Sequence, residues 1–188
     1  MEEPNELLGS LTKRKSNAMR KVKLQIQMSI DGYVARPNGE ADWMTWVPDD
    51  QFFQFINSLI DSSDTILLGR KMADGFVSHW ENTVRNNPDH PFAKKMVDTP
   101  KVVFTKTLDK STWNNTILAK GDLAEEIANL KNQDGKDIIV YGGAGFVSSL
   151  INEGLRYTSS HETIDFGNFN SNYNFRLHPV YISYTYFK

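Results

Sequence analysis

The chain has 188 residues, of which 39% are hydrophobic and 23% are charged, a composition that excludes a disordered chain. Its longest nearly uncharged apolar stretch, residues 138–147, is about half as long as a membrane-spanning helix. The chain contains no cysteine, which excludes disulfides, thiolate metal sites and a cysteine nucleophile, and which favours the cytoplasm as its compartment.

The net charge of −2 is unevenly distributed. Residues 1–23 are net basic, with six basic side chains against three acidic ones, and the remainder is net acidic. Nucleic-acid-binding proteins usually carry their basic residues on the folded domain, so nucleic acid is not expected as a partner. Residues 1–19 are predicted to be a disordered leader, and the domain is predicted to start at residue 20.

From residue 20 onward, strand and helix patterns alternate. An alternating strand is followed by a long polar loop, a helix with one apolar stripe, a buried strand and a second helix. In chain order these are the strand 22–28, the loop 29–46, the helix opened by Asp49 or Asp50, the strand 65–68 ending at Gly69, and the helix from Arg70 towards Trp80. The stripe of the first helix comprises Phe52, Phe55, Ile56, Leu59 and Ile60.

The same order continues after a polar stretch with three prolines, residues 81–100. Asp122 and Glu125 form a capping-box pattern at the start of one later helix. The predicted elements are a short helix at 92–97, the strands 101–105 and 116–118, the helix after Asp122, the strand 137–141, and a helix that ends at Gly154. This last helix is predicted to turn inward Phe146, Val147, Leu150 and Ile151.

Strands separated by helices predict an α/β domain with a largely parallel sheet covered on both faces, and ligands bind such sheets outside the carboxyl ends of the strands. Three predicted strand ends carry residues suited to a phosphate. They are Gly69-Arg70-Lys71, Thr105-Lys106 and Gly142-Gly143-Ala144-Gly145-Phe146. Each has a plain structural alternative: cations extending into solvent, a surface Thr-Lys pair, and a tight strand-to-helix turn.

These motifs, with two earlier ones, resemble the dihydrofolate-reductase-like superfamily in order and spacing. The resemblance covers residues 20–154 and is closest to the C-terminal reductase domain of bacterial bifunctional riboflavin-biosynthesis deaminase-reductases and its stand-alone relatives. It rests on Met28-Ser29-Ile30-Asp31-Gly32-Tyr33-Val34-Ala35, Asp42-Trp43, Gly69-Arg70-Lys71, Val103-Phe104-Thr105 and Gly142-Gly143-Ala144-Gly145. It implies a three-layer α/β/α fold with a mixed, largely parallel sheet.

The resemblance also implies a function, the NADPH-dependent reduction of a small heterocycle, pterin-like or pyrimidine-like, including a ribosylamino-pyrimidine of the riboflavin pathway. The residues that match the family's surroundings of the adenosine 2′-phosphate are Gly69, Arg70, Lys71, Thr105 and Lys106. Those that match its pyrophosphate site are Gly142, Gly143, Ala144, Gly145 and Phe146. The substrate and nicotinamide would border Ser29, Gly32 and Trp43. Self-association as a homodimer is left open.

Hydride transfer needs an accompanying proton, for which a carboxylic acid in the cleft is the usual donor. The candidates are Asp31, Asp42 and Asp50. Asp50 follows Trp46-Val47-Pro48, much as the substrate-binding acid of true dihydrofolate reductases follows a Trp and a Pro, but it also suits a plain helix cap. Asp31 also suits an Asp-Gly turn. The four histidines lack metal-ligand spacing, so no metal site is predicted.

Residues 155–188 depart from the family's pattern, because the family's glycine-containing loop and closing strands have no counterpart in this aromatic-rich and Asn-rich segment. Residues 180–184 have a strand pattern. The segment is either a diverged closing hairpin or the product of a reading-frame change, and the second interpretation is favoured. It would leave a sheet edge open and makes a catalytically impaired nucleotide-binding remnant the alternative function.

Overall fold

A computed structural model describes residues 19–28, 33–40, 42, 50–153 and 180–187. Its strands are β1 (Val22–Met28), β2 (Ser63–Gly69), β3 (Lys101–Phe104), β4 (Thr116–Ala119), β5 (Asp137–Tyr141) and β6 (Val180–Phe187). Its helices are α1 (Asp50–Asp61), α2 (Arg70–Asn86), α3 (Ala93–Asp98), α4 (Leu123–Lys131) and α5 (Ala144–Asn152). The strands form one sheet in the order β4-β3-β2-β5-β1-β6, in which only β6 runs antiparallel to its neighbour.

Helices cover both faces of this sheet. Successive residues of the central strands accordingly belong to two different hydrophobic cores, one on each face. Leu67 of β2 and Val140 of β5 pack with α4 and α5, whereas Leu68 and Ile139 pack with α1, α2 and α3. All four side chains are buried. Successive side chains of a strand point to opposite faces of the sheet. A strand that is buried on both faces therefore needs apolar residues at every position. The prediction of a three-layer α/β/α fold with a largely parallel sheet is therefore confirmed.

Three details of the predicted helices were wrong. Residues 81–86 lack an apolar stripe, so the pattern predicted a helix end near Trp80. They also hold no proline before Pro88, and helix α2 continues to Asn86. Phe55 of α1 and Ile151 of α5 were expected to be buried, yet they are 36% and 54% exposed. Both lie at the margin of their helix's apolar stripe, where the helical period alone does not decide which side chain reaches the core.

The capping box of α4 is half right. The carboxylate of Asp122 accepts hydrogen bonds from the backbone N–H groups of Ala124 and Glu125, at 3.0 and 3.1 Å. The side chain that reaches back belongs to Glu126, whose Oε1 accepts from the N–H of Gly121 at 3.0 Å. The helix start is thus capped from both sides, but one residue later than the pattern predicts.

The C-terminal strand β6 pairs with β1 along its length, from Met28 opposite Val180 to Val22 opposite Phe187. The strand indicated over 180–184 is therefore present and longer than expected. The edge of β1 is covered, contrary to the open edge that a reading-frame change would imply. The origin of residues 155–188 stays a prediction, and residues 1–18 and 154–179 lie outside the described residues.

A buried arginine ties the start of β1 to the start of β2 and to the loop before β5. The guanidinium of Arg20 donates to the carbonyl oxygen of Lys136 at 2.5 Å and to the hydroxyl of Thr65 at 2.7 Å. It also pairs with the carboxylate of Asp64 and donates to the carbonyl of Leu130. Arg20 is only 6% exposed, so these bonds replace its contacts with water.

Two histidines border an aromatic cluster between α2 and α3. The ring centroid of His90 lies 4.9 Å from that of Phe92 and 6.0 Å from that of Trp80. Burial lowers the pKa of His90 from its ordinary value of 6.5, and the charge of nearby His79 lowers it further. The protonated ring is therefore less favourable in the folded protein than in the unfolded chain.

The lowered pKa of His90 predicts a pH-dependent stability. As the pH falls through about 6.5, the unfolded chain takes up a proton before the folded protein does, so the free energy of unfolding decreases. The variant His90→Phe keeps an aromatic ring without a titrating group, and we expect a smaller decrease between about pH 7.5 and pH 5. Urea unfolding at several pH values measures both slopes. Equal slopes for the two proteins would contradict the prediction.

Candidate functional site

The carboxyl ends of β2 and β5 lie side by side at the centre of the sheet. The helices that follow them leave towards opposite faces, since α2 packs in the core that it shares with α1 and α3, and α5 packs in the core that it shares with α4. A crevice forms where neighbouring parallel strands send their connections to opposite sides, and ligands of open α/β sheets bind there. The glycine motifs that follow β2 and β5 therefore meet at this point.

The first side of the crevice is the N-terminus of α2. Gly69 occupies the N-cap position and no side chain caps the helix. Arg70 and Lys71 lie exposed in the first turn, and neither forms an ion pair or side-chain hydrogen bond with another described residue. Two cations at the positive end of a helix repel its dipole, and a bound anion would turn that repulsion into attraction.

The second side of the crevice is the N-terminus of α5. Gly142 and Gly143 have φ values of +35° and +82°, a backbone region that residues other than glycine rarely adopt, and no side chain caps the helix. The first turn is closed by the N–H of Val147, which donates to the carbonyl of Gly143 at 3.0 Å. A Cβ atom added to Gly145 would meet only open space. The N-terminus of α5 is thus open to an incoming group.

The two sides are packed against each other by one side chain from each helix. A Cβ atom added to Gly69 would lie 2.8 Å from the Cβ of Phe146, so the first turn of α5 rests directly on the end of β2. The ring of Phe146 also lies 5.0 Å from that of Phe104. A Cβ atom added to Gly142 would lie 3.6 Å from the sulfur of Met72 in α2. Phe146 therefore packs inward as the helix pattern predicted, and its partners are the ends of β2 and β3.

The two candidate residues at the end of β3 both form hydrogen bonds within the protein. The Lys106 ammonium donates to the carbonyl oxygens of Lys120 at 3.2 Å and Gly121 at 2.8 Å. The hydroxyl of buried Thr105 accepts from two backbone N–H groups of the following turn, both at 3.2 Å. The bonds of Lys106 join the loops after β3 and β4. Both side chains thus have partners within the protein, and their contact with an anion stays a prediction.

Two of the three candidate acids lie within the described residues. Asp42 is exposed, and one of its carboxylate oxygens accepts from Nε of Arg36 at 2.5 Å. This contact raises the pKa of Arg36, first through the hydrogen bond and then through the opposite charge. Asp50 is an exposed residue in the first turn of α1. The remaining candidates lie outside the described residues and are Ser29, Asp31, Gly32 and Trp43.

A polar face of β1 was not singled out from the sequence. Gln25 and Gln27 are half-buried on the face of β1 opposite Leu24, which belongs to the core under α4 and α5. An alternating strand normally turns its polar side to water, but β1 lies between β5 and β6, inside the sheet. Only the strand order, which the sequence did not predict, would have marked these two amides as half-buried residues of an interior strand.

Two other kinds of feature are absent from the described ranges. No group of three or more His, Asp or Glu side chains there could hold a metal ion. None of the described helices is long and apolar enough to cross a membrane.

Comparison with known proteins gives the family. The model of the RibD C-terminal domain matches residues 20–156. The chain belongs to this family. The uncharacterized protein YyaP of Bacillus subtilis (strain 168) is 36% identical over 140 residues, which cover 72% of this chain and 70% of YyaP. The uncharacterized protein YwjB of the same strain is 27% identical over 137 residues, which cover 71% of this chain and 70% of YwjB.

A solved structure shares the fold. The crystal structure of a putative riboflavin biosynthesis protein from Shewanella sp. PV-4 superposes with a TM-score of 0.56 at 19% identity, covering 88% of this chain and 98% of that one. The resemblance to the dihydrofolate-reductase-like superfamily, and within it to riboflavin-biosynthesis reductase domains, is confirmed. Membership of the RibD C-terminal domain family relates this chain to a reductase domain.

Proposed function

We propose that the chain is an NADPH-dependent reductase of a small heterocyclic substrate. The observation that carries the proposal is the pair of uncapped helix N-termini beside each other at the ends of β2 and β5, one of which bears two cations without a described partner. A ligand that matches both needs one phosphate for Arg70 and Lys71 and a second for the first turn of α5. A dinucleotide with a 2′-phosphate has both.

The residues present fit this cofactor. The open N–H groups of Ala144 and Gly145 would hold the pyrophosphate, which the bare backbone of Gly143 lets approach closely. Arg70 and Lys71 would hold the 2′-phosphate, and the resemblance alone adds Thr105 and Lys106 to that set. When bound, NADPH supplies a hydride. The proton would come from a carboxylic acid, for which Asp31, Asp42 and Asp50 are the candidates, and Asp42 is the one that pairs with Arg36.

The substrate class is argued from the family and from the polar face of β1. The amides of Gln25 and Gln27 offer both donors and acceptors, which suit the ring nitrogens and carbonyls of a pterin-like or pyrimidine-like molecule. A ribosylamino-pyrimidine of riboflavin biosynthesis is one such substrate. The cytoplasm is the proposed compartment, in keeping with a chain that lacks cysteine.

Cofactor preference tests the proposal. We expect NADPH to bind more tightly than NADH, and we expect Arg70→Ala and Lys71→Ala each to weaken NADPH binding by about 1.5–3 kcal/mol, the usual value of a hydrogen bond to a charged group. Neither variant should change the affinity for NADH. Lys106→Ala is the matched control, with a smaller expected effect because its ammonium already bonds two carbonyls. Fluorescence titration measures all four proteins.

Two outcomes would decide against this reading. Equal affinities of the wild-type protein for NADPH and NADH would contradict the 2′-phosphate assignment. Tight NADPH binding without oxidation of the cofactor, across a panel of pterins and ribosylamino-pyrimidines, would favour the impaired nucleotide-binding remnant.

A further inference from the structure

We propose that Phe146 is a positioning residue that sets the spacing between the two phosphate-binding helix N-termini. The inference rests on the proposed cofactor site and goes beyond it, since it gives Phe146 a role without contact to the cofactor. The reason lies in where its side chain is packed. Phe146 belongs to the first turn of α5, yet its contacts lie at the ends of β2 and β3.

Phe146 lies so close to Gly69 of β2 that no further side-chain atom fits between them. Gly69 and Phe104 are partners in the register of β2 and β3, and Phe146 covers both. Any side chain at position 69 would place a Cβ atom 2.8 Å from the Cβ of Phe146, a separation that real Cβ atoms do not show. The Cβ of Phe146 is fixed to the helix backbone, so relief would require α5 itself to move.

A second contact between the two helix N-termini and the strand ends lies on the other face of the sheet. Met72, in the first turn of α2, lies near Gly142 at the end of β5, with its sulfur 3.6 Å from where a Cβ atom of residue 142 would lie. Each helix thus rests on the strand end that precedes the other helix. Because interiors are close-packed and resist deformation, the crossed contacts keep the two N-termini at one separation.

This geometry distinguishes ligands by their span. NADPH would contact both N-termini, so its affinity depends on their separation. Adenosine 2′-phosphate would contact only the N-terminus of α2, so its affinity does not. A loss of spacing should therefore weaken NADPH binding and leave adenosine 2′-phosphate unaffected.

The test compares Phe146→Ala, Phe146→Leu and wild-type protein with both ligands by titration calorimetry. We expect the Kd for NADPH to rise on the order of tenfold in Phe146→Ala, with partial recovery in Phe146→Leu, while the Kd for adenosine 2′-phosphate stays unchanged. Phe92→Ala is the matched control, since it removes a buried ring that packs beside His90 and Trp80. It should lower the melting temperature without changing either Kd.

The remaining outcomes oppose the proposal. An unchanged NADPH affinity in both Phe146→Ala, which removes the ring but keeps the Cβ atom, and Gly69→Ala, which displaces that Cβ atom, overturns the positioning role and leaves the cofactor site intact. An equal loss for both ligands, or the same losses in Phe92→Ala, means that Phe146 only stabilises the fold. Failure of the wild-type protein to bind NADPH overturns both proposals. If Phe146→Ala does not fold, Gly69→Ala tests the spacing with the ring retained, and selective loss of NADPH affinity is again expected.

Discussion

Replacing Gly145 with aspartate is expected to weaken NADPH binding by about two orders of magnitude while the fold becomes no less stable. A carboxylate in the first turn of α5 would occupy the space proposed for the pyrophosphate, and bringing like charges together costs several kcal/mol. The same carboxylate interacts favourably with the helix dipole, by about 0.3–1 kcal/mol. Titration with NADPH and thermal unfolding of the same sample measure the two opposite effects.

The matched control is Gly145→Ala, which adds only a methyl group. A Cβ atom at this position meets open space, so NADPH binding should persist. The protein should gain about 0.5–1 kcal/mol of stability, because alanine favours a helix more than glycine does. If Gly145→Asp binds NADPH as tightly as Gly145→Ala, the pyrophosphate does not lie at the N-terminus of α5.

Replacing Arg20 with methionine is expected to lower the free energy of unfolding by about 3 kcal/mol. Methionine fills much of the same volume but leaves the carbonyl of Lys136 and the hydroxyl of Thr65 without their donor. The value lies at the low end of the range for broken buried pairs because the side chain of Asp64 is 38% exposed and gains water. The melting temperature should fall by roughly 6–12 °C.

Arg36→Met serves as the comparison for Arg20→Met. Arg36 also pairs with an aspartate, Asp42, but both side chains are more than half exposed. Water replaces that pair at little cost, so no measurable change in stability is expected. A similar loss in both variants would show that charge, and not burial, determines the effect of Arg20.

The fold could be predicted from the sequence because its central strands carry the pattern in full. Residues 66–68 and 138–141 are apolar on both faces, and glycine follows each of these runs, so the burial and the ends of both strands could be predicted. Helix α4 was readable from Asp122 and its apolar stripe. The glycine motifs were correctly expected at the carboxyl ends of strands, whereas the neighbouring positions of β2 and β5 are seen only in the strand order.

The candidate site was only partly predictable, since a motif specifies residue types and not their partners. Lys106 and Thr105 have the right chemistry for a phosphate, but the ammonium of Lys106 bonds a loop that is distant in sequence, and the hydroxyl of Thr105 accepts from the turn that follows it. Phe146 was predicted to face inward and was also assigned with the glycine motif, but its packing on Gly69 joins two helices and strands that no local pattern connects. Burial of Arg20 likewise depends on Asp64 and Lys136, which no local pattern connects to it.

The position of β1 has a consequence for synthesis on the ribosome. Its two neighbours in the sheet, β5 and β6, begin only at Asp137 and Val180. At translation rates of about 5–20 residues per second, β1 is exposed on the order of 5–20 s before its first partner strand is made. Strand β2, in contrast, pairs with β3, the next strand in the chain. During that delay the apolar side chains of Val22, Leu24 and Ile26 are exposed on the nascent chain. Chaperones that bind extended apolar peptides should therefore recognise β1 before β5 is made.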